Sequence, residues 1–107
     1  MMVKAKDREN LRIWHYGDLI SPTFLLSNGA QVPIIPRTAC ESTGLFCKGR
    51  EVFENDWLAV DGDGETHKLL VVWRDNEYRA AEDEEVSYNL KNVLEYATCK
   101  IVGNLYD

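Results

Sequence analysis

Thr43-Gly44-Leu45-Phe46-Cys47-Lys48-Gly49-Arg50-Glu51-Val52-Phe53-Glu54-Asn55-Asp56-Trp57-Leu58 sets glycines and an asparagine at short intervals along an otherwise β-prone stretch. Glycine and asparagine tolerate positive φ at least cost, so Gly44, Gly49 and Asn55 read as backbone devices. Val52, Phe53, Trp57 and Leu58 read as core. The lysine, arginine and glutamates give the run the look of an active-site motif, but a turn, a short strand and a second turn explain its spacing better.

The same grammar continues toward the C-terminus. Residues 56–61 form a strand candidate, Gly62-Asp63-Gly64-Glu65 a turn, and residues 66–74 a second strand, a hairpin in outline. The apolar stretch from Leu69 to Trp73 is too short and too β-rich for a buried helix, so it predicts a central strand. Asp75-Asn76 turns the chain into another strand over residues 77–81. From Asp83 the period changes: Val86, Leu90, Val93, Leu94 and Ala97 fall on one helical face, with Asp83 or Ser87 as N-cap. Residues 100–106 then read as a closing strand.

Toward the N-terminus, Leu11-Arg12-Ile13-Trp14-His15-Tyr16 alternates apolar and polar residues and predicts a strand that Gly17-Asp18 ends. Residues 23–26 and 32–35 flank a Ser27-Asn28-Gly29 turn, and Pro33 and Pro36 demote the second run to an edge. No long helix fits before residue 80. The 107 residues predict a single domain over residues 1–107, with residues 1–10 as a flexible tail.

A hydrophobic share of 45% and a charged share of 28% fit a globular protein and exclude a disordered one. No apolar run approaches the ~20 residues that span a bilayer, and the polar start lacks a secretory signal, so the expected location is the cytoplasm. The net charge of −6 is uneven: residues 1–50 hold 7 basic and 4 acidic side chains, residues 51–107 hold 5 and 14. That balance makes direct nucleic-acid binding a poor fit, because affinity for phosphates depends on Lys and Arg. Cys40, Cys47 and Cys99 are odd in number and lack paired-ligand spacing, which argues for free, packed thiols over a disulfide framework or a zinc site.

Several segments also resemble the YopX-like proteins of phages and prophages, and the likeness runs nearly end to end. Leu11-Arg12-Ile13-Trp14 resembles that family's opening strand, and Thr43-Gly44-Leu45 its threonine-glycine-leucine step. Gly49-Arg50-Glu51-Val52-Phe53-Glu54-Asn55-Asp56, Val71-Val72-Trp73 and Ile101-Val102-Gly103-Asn104-Leu105-Tyr106 resemble its later motifs. Two departures stand out: Phe46-Cys47-Lys48 is about one residue shorter than the usual loop, and Asn55 stands where glycine is usual. The resemblance implies a phage or prophage origin, a bacterial host cytoplasm and a β-barrel-like core, and carries no established activity. Pattern and resemblance together predict an α+β fold, mainly antiparallel β, as a small SH3-like barrel or bent sheet with one helix before the last strand.

Asp61-Gly62-Asp63-Gly64-Glu65 starts like a calcium loop, but Thr66 stands where glycine is required and Val72 where the bidentate glutamate belongs, so a hairpin turn is expected. His15 and His67 are the only groups that titrate near neutrality unperturbed, and neither sits in a catalytic motif. No catalytic residue, metal ligand or cofactor is expected. The binding candidates are the acidic run Glu82, Asp83, Glu84 and Glu85, and Trp57, the tryptophan expected to be partly exposed. These point to a non-enzymatic accessory protein that binds a protein partner or itself, an acidic inhibitor of a host nucleic-acid-binding or defence protein being the sharper alternative and a small metal-dependent enzyme the weaker one.

Overall fold

A computed structural model describes residues 2–107. It is an α+β fold, mainly antiparallel β, with a curled half-barrel sheet and a single helix before the last strand. The chain divides into two compact units, a first ending at Ser42 and a second over Thr43–Asp107.

In the first unit, β1 (Met2–Lys6), β2 (Trp14–Ser21), β3 (Phe24–Ser27) and β4 (Ala30–Pro33) lie in the order β4-β3-β2-β1, and the opening residues of β5 (Cys40–Cys47) pair with β1. Residues 2–6 are therefore a central strand instead of the expected tail. Val3, Ala5, Leu25 and Ile34 form the core of this unit, and burial of Val3 and Ala5 is what fixes the segment. Lys4 and Lys6, on the other face, place their ammonium groups 4.7 and 5.0 Å from the centre of the Trp14 ring. The Lys6 ammonium also donates to the Leu11 carbonyl at 2.6 Å.

Gly17-Asp18 does not end β2, which begins at Trp14 and runs to Ser21. Gly17 is there for space: a Cβ at that position would sit 1.9 Å from the Leu26 carbonyl oxygen of β3. Its lack of a side chain lets the strands approach, whereas composition alone suggests a break. Pro33 falls on the edge strand β4, where its missing N–H interrupts no ladder, and Pro36 opens a short 3-10 helix, Pro36–Thr38.

The second unit holds the rest of β5, β6 (Arg50–Phe53), β7 (Asp56–Gly62), β8 (Glu65–Arg74), β9 (Glu77–Ala81), β10 (Ser87–Asn89), α1 (Leu90–Tyr96) and β11 (Thr98–Asn104). Its five-stranded sheet runs β10-β9-β8-β7-β11. Asn28-Gly29, Lys48-Gly49, Asp63-Gly64 and Asp75-Asn76 all carry positive φ at both positions. That is the type I′ pattern, whose twist matches that of paired strands. The supposed calcium loop is thus one of these hairpins, with the Thr66 hydroxyl donating to Asp61 at 2.8 Å.

Val52, Leu58, Val60, Leu69, Val71, Ala80 and Leu90 fill the core with Cys47 and Cys99. Asn55 has φ 70°, the left-handed conformation expected of it, and its N–H donates to the Val71 carbonyl at 2.8 Å. The following Asp56 is 1% exposed and accepts from the Phe53 amide at 2.8 Å and the Asn104 side chain at 2.9 Å. The predicted helix is real but shorter. It begins after Asn89, whose side chain accepts from the Asn92 amide at 3.0 Å, because residues 87–89 add to β9 as an edge strand.

Candidate functional site

The acidic run lies between β9 and β10, and all four of its side chains are exposed. It is ordered by its own chemistry. The Asp83 carboxylate accepts from the amides of Glu85 at 2.8 Å and Val86 at 2.7 Å, an Asx turn. The amides of Glu82 and Asp83 donate back to the Val86 carbonyl, and Arg74 donates to the Asp83 carbonyl at 3.2 Å. Hydrogen bonds donated by the Val86 and Glu85 amides hold the Asp83 carboxyl below the ordinary carboxylate range. Asp83 therefore closes this loop and does not cap the helix, which corrects the expected cap.

A second network fixes the strand behind the loop. Arg79 donates to the Ser87 hydroxyl at 2.6 Å, the Ser87 carbonyl at 3.0 Å and Glu77 at 2.9 Å, and Asn89 donates to the same Glu77 oxygen at 2.7 Å. β10 is thereby tied to β9 by side chains as well as by its ladder. The loop's two ends are held even though its carboxylates face solvent.

Trp57 sits on β7 opposite Leu70, on the sheet face away from the core, and is half-buried beneath the Lys68 ammonium 4.6 Å from its ring centre. Glu82 follows Ala81, which shares the face of Leu70 and Trp57, so the Glu82 side chain turns to the opposite face. The structure does not join Trp57 and the acidic run into one surface. Trp73, not Trp57, is the most exposed tryptophan at 56%; its ring meets Tyr78, directly opposite on β9, edge to face at a centroid distance of 4.8 Å. Alternation with Leu69 and Val71 puts Trp73 on the core face in register, but it stands past the end of the core, which periodicity alone does not reveal.

On that core face, His67 approaches Glu82 at 3.9 Å and Glu65 at 4.0 Å. The pair borders a cleft of about 260 Å³ lined by Val60, Leu69, Val93, Asp63, His67, Glu82 and Tyr88. The other histidine, His15, lies 2.8 Å from Asp7 in the first unit, and that hydrogen bond lowers the Asp7 carboxyl. Among the described residues no group of three or more His, Cys, Asp and Glu is arranged to hold a metal ion, and no helix is long and apolar enough to cross a membrane.

All three cysteines are buried free thiols. Cys47 and Cys99 bring their sulfurs to 3.6 Å across β5 and β11, a proximity that 52 residues of separation conceal in the sequence. Burial, then the contact with Cys47, pushes the Cys99 thiol up to about 11. Such a thiol is a packing group, because the nucleophile is the thiolate. No family model matches the sequence, and no curated protein or solved structure matches it significantly.

Proposed function

We propose that this chain is a non-enzymatic accessory protein of phage or prophage origin that acts by binding another protein through its second unit. The observation that carries the reading is the exposed Trp73 ring, braced by Tyr78 on two adjacent strands. A large aromatic held rigidly in solvent loses little entropy on being covered, the profile of an interface hot spot. The YopX-like order of motifs supports the phage or prophage origin.

A second, sharper reading is an acidic inhibitor that occupies the basic groove of a host nucleic-acid-binding or defence protein. It is favoured by the Asx turn at Asp83, which presents Glu82, Glu84 and Glu85 on an ordered loop. Carboxylates in fixed positions steer and align a cationic partner better than a mobile tail.

The test is affinity capture from a bacterial host lysate with three proteins: the wild type, Trp73→Ala, and a variant with Glu82, Glu84 and Glu85 changed to Gln and Asp83 to Asn. The binding reading requires a partner that the wild type retains and Trp73→Ala loses while still melting cooperatively. The inhibitor reading further requires loss with the charge variant and weakening by salt. A partner retained by Trp73→Ala overturns the first; one indifferent to the charge variant overturns the second.

A further inference from the structure

The cleft beside His67 combines three properties that narrow what it can take. Its lining is aliphatic at Val60, Leu69 and Val93, aromatic at Tyr88, and acidic at Glu82 and Asp63. At about 260 Å³ it falls below the ~300–1,000 Å³ of pockets that enclose drug-sized molecules or cofactors. It suits one long side chain with an apolar stem and a cationic head.

We infer that this cleft is a receptor for a single arginine side chain presented by a protein partner. The inference rests on the reading of the second unit as a protein-binding unit and names what that unit recognises. Arginine fits better than lysine for two reasons. A planar guanidinium stacks on a tyrosine face, and its fork of donors can engage two carboxylates at once, where an ammonium is a compact point charge. The Glu82 carboxylate is placed to accept: its approach to His67 at 3.9 Å is too long for a hydrogen bond. Both ends of the loop that carries Glu82 are anchored, by the Asp83 turn and by Arg79 on Ser87, so the acceptor is held in place before the ligand arrives. Charge complementarity agrees, since no lysine or arginine lines the cleft and the chain from residue 51 onward is strongly acidic.

The experiment is titration of the isotopically labelled full chain with N-acetyl-arginine amide, followed by amide chemical shifts, with N-acetyl-citrulline amide as the uncharged isostere. The expected result is weak saturable binding of the arginine probe, with shifts centred on His67, Leu69, Glu82 and Tyr88. Affinity should fall about tenfold in a Glu82→Gln, Asp63→Asn variant, as for loss of a charge-assisted hydrogen bond. Both positions are exposed, so the variant's unperturbed spectrum elsewhere serves as the folding control. Absence of saturable shifts at these residues, or equal binding of citrulline, overturns the inference. The two levels separate in lysate capture: a partner lost with Trp73→Ala but kept by Glu82→Gln, Asp63→Asn overturns the arginine site alone, whereas one kept by Trp73→Ala overturns the binding reading itself.

Discussion

Asn104 donates its side-chain amide to the buried carboxylate of Asp56 at 2.9 Å, joining residues 48 apart in sequence. The contact ties the first residue of β7 to the last of β11, and the neighbouring backbone reinforces it: the Leu105 amide donates to the Asn55 carbonyl at 2.8 Å. Asn104→Ala removes a donor from a carboxylate that is 1% exposed. The expected cost is about 2 kcal/mol, read as a lower urea midpoint with unchanged slope. A change within experimental error would show that Asp56 is satisfied without Asn104.

Asn55 is the position where side-chain identity is decided by backbone alone. At φ 70° a residue with a Cβ and no compensating polar group is strained, so Asn55→Ala should cost about 1–2 kcal/mol, while Asn55→Gly should be close to neutral. Equal losses in the two variants would mean that the asparagine side chain, not the left-handed backbone, is what matters there.

Gly17→Ala tests the close approach of β2 and β3. With 1.9 Å between the added carbon and the Leu26 carbonyl oxygen, the backbone must move, and a loss of about 3 kcal/mol is expected. Thermal melts that match wild type would show that the two strands part without penalty.

The raised Cys99 thiol gives an alkaline signature. Its pKa is higher in the fold, at about 11 against an ordinary value of 9.0, so its contribution to stability is complete below the unfolded value. It is lost as pH rises across that interval, because the unfolded chain releases the proton first. Near neutral pH, alkylation of Cys47 and Cys99 should require unfolding. Rapid labelling of either thiol in the native protein, located by peptide mass, would contradict their burial.

Asp83 titrates in the opposite sense. Its carboxyl is lowered by the amides of Val86 and Glu85, so the loop is held above the unfolded carboxylate range and loosens as pH falls through the depressed value. Protection of the Glu85 and Val86 amides, measured as exchange relative to the intrinsic rate at each pH, should fall on acidification and in Asp83→Ala. Amides indifferent to both changes would mean that the Asx turn does not order the loop.

Local backbone chemistry explains which parts of this fold were legible. Asn28-Gly29, Lys48-Gly49, Asp63-Gly64 and Asp75-Asn76 marked their turns because left-handed geometry selects residue types irrespective of the partner strand. Gly17 misled because a glycine demanded by a neighbouring backbone looks the same as one that breaks a strand. β1 was hidden by Lys4 and Lys6, whose charges suggest a tail although their ammonium groups lie over the Trp14 ring. The acidic run was visible as composition, but its placement beside His67 and Tyr88 depends on β10 docking to β9 through Arg79. The exposure of Trp73 depends on where the core ends, which no strand alone encodes.

The position of β11 in the sheet also sets an order of assembly. β7, β8 and β9 join through two-residue loops and close cheaply, whereas β11 reaches β7 only after β8, β9, β10 and α1 have been traversed. Loop-closure entropy predicts that this last pairing is the late event, with the local hairpins as the folding nucleus and β11 locking them afterwards. Ile101→Val, which trims one methylene from β11 opposite Leu58, should therefore accelerate unfolding and leave the refolding rate almost untouched. The Asp56–Asn104 contact is then a latch: it resists opening of a unit whose hairpins have already found their places.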